Sequence, residues 1–240
     1  MDAEHPPRTA AAGAAGLHGP GARRPRGSRP RRGRGRVKTA PRTHYSAYDV
    51  LRKRESVSWD DTTREVVRKR LEEVPDRSFF SEQEWHTLQA VCARILPQPE
   101  RGSAAVPIAP WIDQKLARNR GEGYRYADMP PMREAWRLGL AGVEAESLLR
   151  FGQSFAEMNG TNQDTVLLTI QRGDVADDAW QRLPPTRFFR SVLLKSIVAQ
   201  YYAHPAAWSE TGFGGPASPR GYVRLGIGQH DPWEAEERHD

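Results

Sequence analysis

The chain has 240 residues, 38% of them hydrophobic and 28% charged. That suits one globular domain with a tail better than two domains, and no apolar run approaches the roughly 18 residues that a membrane-spanning helix needs. The net charge of +6 is uneven: residues 1–42 hold 11 Lys/Arg against 2 Asp/Glu, a local +9, which leaves −3 for the rest. A nucleic-acid-binding reading therefore rests on the tail alone. The single cysteine, Cys92, excludes an internal disulfide framework and any cysteine-based zinc or iron–sulfur site within one chain.

Residues 1–43 are mostly Ala, Gly, Pro and Arg, with almost no large apolar side chain. Such a segment cannot bury enough surface to offset its chain entropy, so a disordered basic tail is expected. Its run R-P-R-G-S-R-P-R-R-G-R-G-R has no aromatic residues interleaved as stacking platforms. It reads either as an arginine-rich nucleic-acid arm or as a low-complexity extension ahead of a native start near Val37. An export signal needs a basic stretch followed by an apolar core. Here Ala10–Ala15 precedes the arginines and Pro25 follows Arg23-Arg24. No export signal is read, and a cytoplasmic protein is expected, periplasmic only if carried with a partner.

From Tyr45 the composition becomes that of a folded chain. Residues 44–78 read as a helical lead-in, 79–230 as the main domain and 231–240 as a flexible C-terminus. Asp60 or Asp61 can cap a helix to about Glu72, with Val66, Val67 and Leu71 as apolar contacts and Pro75 beyond its end. In F-F-S-E-Q-E-W-H-T-L-Q-A-V-C-A-R-I-L-P, Ser81 and Glu84 form a capping-box pattern. Trp85, Leu88, Cys92 and Ile95 then share one helical face, and Pro97 stops the helix. Cys92 is accordingly expected in the core.

Pro107–Pro110 precedes a short helix from Trp111 to about Asn119. Residues 121–131 form a loop containing Tyr124 and Tyr126. Met132 to about Phe151 is a long helix with Trp136, Leu140 and Val143 on one stripe. Thr161 with Asp164 opens another, which Gly173 closes. Thr186 to about His204 is so apolar that it belongs at the centre of a bundle. The segment from His204 to Ile227 is rich in Gly, Pro and aromatic residues and cannot be regular helix or strand for most of its length. The expected fold is all-α: one helical bundle with an irregular C-terminal segment.

The sequence assigns no catalytic, cofactor-binding or metal-ligating residue. Glu82 and His86 are one pair, not a metal site, and no H-E-x-x-H occurs. No G-x-S-x-G elbow occurs. Gly212-Phe213-Gly214-Gly215 lacks the preceding strand and following helix of a phosphate loop, because Pro216 and Pro219 come next. Glu144 with Glu146, and Asp177 with Asp178, read as solvated faces.

The ordered set of F-F-S-E-Q-E-W-H-T-L-Q-A-V-C-A-R-I-L-P, P-I-A-P-W-I-D-Q-K-L, P-P-T-R-F-F, Y-Y-A-H-P and G-F-G-G-P-A-S-P-R-G-Y resembles the gluconate 2-dehydrogenase subunit 3 family, from about Phe79 to Ile227. The resemblance implies a non-catalytic small subunit that supports the folding, stability or export of a large FAD-dependent subunit of the glucose-methanol-choline (GMC) oxidoreductase type. It implies FAD on that partner and none in this chain, with electrons passing to a cytochrome c subunit or another acceptor. Many members carry a twin-arginine signal, from which this N-terminus departs. The end of the apolar helix and the C-terminal segment supply Tyr202, His204, Trp208, Phe213, Arg220 and Tyr222 as candidate partner contacts. The alternative, that the segment packs over its own bundle, stays open at this level.

Overall fold

The computed structural model describes residues 48–121 and 123–217, together with positions 45, 221, 226–229, 234 and 235. The expected tail, Arg220, Tyr222 and most of 231–240 lie outside them. Among the described residues every regular element is a helix or helical turn, as expected of an all-α chain.

After a 3₁₀ turn (Val50–Glu55), α1 (Asp61–Glu72) starts where the Asp60 carboxylate accepts the Thr63 N–H at 2.7 Å. Val67 is buried but Val66 is 52% exposed, because α1 turns a narrower apolar stripe inward than the sequence suggested. The next helix, α2 (Glu82–Ile95), has the full capping box. Ser81 Oγ accepts the Glu84 N–H at 3.3 Å, and Glu84 Oε2 accepts the Ser81 N–H at 2.8 Å. Leu88 and Cys92 face the core, with Trp85 and Ile95 at its margin.

Helix α3 (Ile108–Ala117) begins three residues before the expected Trp111. Pro110 reads as a breaker but sits in the first turn, where a missing N–H costs nothing because it has no intrahelical acceptor. The central helix, α4 (Met132–Phe151), ends on Gly152 at φ +66°. Helix α5 (Gly160–Arg172) is capped by Asn159, whose side chain accepts the Asn162 N–H at 3.0 Å, and not by Thr161. Asp164 instead pairs with Arg94 of α2. Gly173 closes α5 at φ +85°.

A one-turn helix, α6 (Asp177–Trp180), was not foreseen. The apolar helix then runs as α7 (Pro185–Arg187), a π-helical stretch (Phe188–Leu194) and α8 (Lys195–Ala203). In a π-helix residues five apart share a face, and here Phe188 and Leu193 are both fully buried. A short α9 (Pro205–Trp208) and a 3₁₀ turn (Ser209–Thr211) follow before the chain becomes irregular.

The main core is threaded by a row of aromatic rings. Phe79, Phe80, Trp136, Phe188 and Trp180 stand with successive centroids 4.8, 6.0, 6.0 and 6.1 Å apart, the first three contacts edge-to-face. Two glycines of α4 admit this row. A Cβ on Gly142 would lie 2.9 Å from the Trp180 ring, and one on Gly139 would overlap the tip of the Phe188 ring.

A smaller second core holds Val50, Trp59, Val67 and Trp208, with Tyr48, Leu51 and Leu71 at its edge. It joins the lead-in to the segment after α8. Tyr48 Oη donates to Phe213 O at 2.9 Å, Trp59 Nε1 to Pro216 O at 2.9 Å, and Arg70 Nη1 to Ala203 O at 2.7 Å. Lys53 donates to Gly214 O. Gly215 is required here: at φ +74°, a Cβ would come 3.0 Å from both Trp59 and Val50. The backbone here is irregular and closely packed, and no helix begins among the described residues beyond it.

Candidate partner-binding surface

The six residues proposed as partner contacts separate into three groups. Trp208 is buried in the second core and His204 is also buried, so their side chains face this chain's own lead-in. Tyr202 and Phe213 keep 48% and 38% of their surface in solvent. Arg220 and Tyr222 lie outside the described residues.

His204 terminates α8 and caps α9. Its Nε2–H donates to Arg70 O at 2.7 Å, while Nδ1 accepts the Ala206 N–H at 3.3 Å. Both ring nitrogens are thus used by one neutral tautomer. Protonation would turn Nδ1 into a donor facing a donor. Desolvation by burial first, then the charges of Arg70 and Arg101, hold its pKa below the usual histidine range, against the opposing backbone hydrogen bond to Arg70. The unfolded state then binds more protons than the folded one. The stabilisation is complete above about pH 6.5 and is lost as the pH falls below it. Urea midpoints measured at about pH 7.5 and 5.5 should fall more for the native chain than for His204→Gln.

A charged cluster fixes the same segment from the other side. The buried Arg101 pairs with Glu210 and donates to Tyr201 Oη at 3.2 Å and Ala206 O at 3.2 Å. Tyr201 Oη in turn donates to Glu210 Oε2 at 2.7 Å.

Sequence reasoning missed several carboxylates. Glu144 and Glu146, read as a solvated face, are both buried. Glu144 Oε2 accepts from Thr87 Oγ1 at 3.3 Å and Phe155 N at 3.2 Å. Glu146 accepts the Ala176 N–H at 2.7 Å and pairs with Arg150 at 3.0 Å. Their partners lie outside α4 or one turn along it, so the burial has no short-range sequence signature. Asp113 is fully buried in α3 and accepts the backbone N–H groups of Ser78, Phe79 and Phe80 at 2.7, 3.1 and 2.9 Å. It also accepts the Ser78 hydroxyl at 3.1 Å. These side chains hold segments of the fold together.

Cys92 is buried, and desolvation pushes its thiol up to about 12. A thiolate nucleophile is disfavoured there. Glu82 and His86 are both exposed. Among the described residues no group of three or more His, Cys, Asp or Glu side chains is placed to hold a metal ion, and no helix is long and apolar enough to cross a membrane.

A groove of about 410 Å³ lies between the loop before α4, the start of α4 and the π-helical stretch. Met129, Pro130, Ala135 and Val192 form its buried apolar floor. Tyr124 and Tyr126, 66% and 40% exposed, stand at its rim with ring centroids 5.8 Å apart. Arg125, Arg190 and Lys195 also line it, and none of its described lining residues is Asp or Glu. Lys195 Nζ lies 5.5 Å from the Tyr124 ring. Arg187 stacks 4.5 Å over Tyr126 and pairs with Asp128 at 3.0 Å. The sequence showed this region only as a loop with two tyrosines. The usable signal was an arginine between two aromatics in a glycine-rich loop.

These features define a helical protein whose polar interior serves its own fold and whose accessible features suit recognition: exposed aromatic residues and a basic groove. The chain belongs to the gluconate 2-dehydrogenase subunit 3 family, whose model matches residues 82–215, more than half of its length. No curated protein and no solved structure gives a match. The matched span starts at the first residue of α2 and ends at Gly215, the glycine packed against Trp59.

Proposed function

We propose that this chain is a non-catalytic small subunit of an FAD-dependent dehydrogenase complex of the gluconate 2-dehydrogenase kind. Its partner is a large flavoprotein subunit of the GMC type, which carries the FAD and the substrate site. This chain supports the folding and stability of that partner, and electrons leave the flavin for a cytochrome c subunit or another acceptor. The observation that carries the reading is the family match over 82–215. The structure supports it through the use made of the family-like segments. Asp113 of P-W-I-D ties down F-F-S-E, and Arg101 with Glu210 locks the Y-Y-A-H-P end. Their most buried polar groups thus brace the fold.

Affinity purification of the tagged chain from its native host tests this. A larger chain with flavin absorbance is expected to co-purify, and the large subunit expressed alone is expected to be less soluble than when co-expressed. Stable partners often bury more than about 2,000 Å², so the complex should survive gel filtration. Recovery of no flavoprotein would sink the proposal.

A further inference from the structure

We propose that the basic aromatic groove beside the π-helical stretch receives an acidic segment of the flavoprotein partner, a proposal that rests on the subunit reading above. Charge complementarity argues for this occupant. Arg125, Arg190 and Lys195 converge on the groove, and no described lining residue opposes them. Arg190 and Lys195 are exposed side chains. Arg125 spends one N–H on Met129 O at 2.6 Å, which fixes its guanidinium at the rim. Carboxylates of an extended chain would meet Arg190 and Lys195, with bidentate geometry available at the arginine.

The apolar part of the site argues for a peptide over a bare anion. Met129, Pro130, Ala135 and Val192 form a floor that an inorganic ion would leave empty, whereas an aliphatic side chain would fill it. Tyr124 and Tyr126 supply large contact area with few rotatable bonds, and Tyr and Arg are the residues that interface centres favour. Arg187 and Lys195, stacked on these rings, hold them upright. A polyphosphate chain is the poorer match. Nucleic-acid contacts run along extended basic stripes, and outside the first 42 residues this chain carries a net −3.

The test uses the full chain and the co-purified flavoprotein. A photo-crosslinking amino acid at Tyr124 should join it to an Asp/Glu-rich peptide of the large subunit. Arg190→Glu with Lys195→Glu should weaken the complex on the order of 30-fold, and Tyr124→Ala, away from any helix, by roughly 10-fold. The conservative Arg190→Lys with Lys195→Arg should retain most of the affinity. Thermal unfolding of each variant separates lost binding from lost fold. If the native complex forms and the charge reversal binds within a factor of about two, the groove proposal is overturned while the subunit reading stands. Cross-links confined to neutral or basic partner peptides overturn it equally. A single-stranded oligonucleotide that binds the groove and displaces the flavoprotein would replace the acidic segment as its occupant. If no flavoprotein joins the native chain, both proposals fall.

Discussion

Asp113→Ala is expected to destabilise the chain by about 4 kcal/mol, because the buried N–H groups of Phe79 and Phe80 lose their acceptor and each unsatisfied buried donor costs roughly 1–3 kcal/mol. The Ser78 N–H and hydroxyl lose the same carboxylate but lie nearer to solvent. For a domain of this size such a loss should lower Tm by roughly 8–16 °C. It is a large part of the ~5–15 kcal/mol that holds most domains folded. Asp113→Asn should be only partly better, since its amide would aim donors at donors. Differential scanning calorimetry of the three proteins checks the order. An alanine variant that melts within about 2 °C of the native chain would mean that water replaces the carboxylate.

Gly139→Ala should cost about 3 kcal/mol, at the upper end of the usual overpacking penalty. Alanine improves intrinsic helix propensity by up to ~1 kcal/mol, so the sign of the effect decides between local and tertiary control. The clash should win because Phe188 cannot retreat: its ring is fully buried between Trp136 and Trp180. Shortening that ring should relieve the clash. The double variant Gly139→Ala with Phe188→Leu should be less destabilised than the two single effects added together, by at least ~1 kcal/mol. Urea unfolding of the four proteins gives that coupling directly. Strict additivity would mean that α4 and the π-helical stretch do not meet as described.

Much of this architecture was legible because its signals are local. Ser81 and Glu84 lie three residues apart, Gly173 follows the last turn of α5, and the stripe of Trp136, Leu140 and Val143 repeats within one helix. What escaped has partners far along the chain. Glu146 is buried where Ala176 N–H and Trp180 Nε1–H, 30 and 34 residues on, donate to it, and nothing beside it in the sequence marks that. Trp208 reads as an available anchor until Val50, Trp59 and Val67 are brought against it. The π-helical stretch was hidden for another reason. In F-F-R-S-V-L-L five of seven positions are apolar and the two polar ones are adjacent, so no period stands out. Pro110 misled because a proline's meaning depends on whether it falls just inside a helix start or just before one.

The second core also sets an order of events in synthesis. Trp59 leaves the ribosome early, yet the carbonyl that receives its Nε1–H belongs to Pro216, 157 residues later. At translation rates of about 5–20 residues per second, the lead-in waits on the order of 10 to 30 s for its partners. During that interval Val50, Trp59 and Val67 present an uncovered apolar surface, the kind that chaperones engage. The matched family span closes the bundle, but Val50, Trp59 and Val67, which precede that span, are completed by Trp208 and Pro216 near its end.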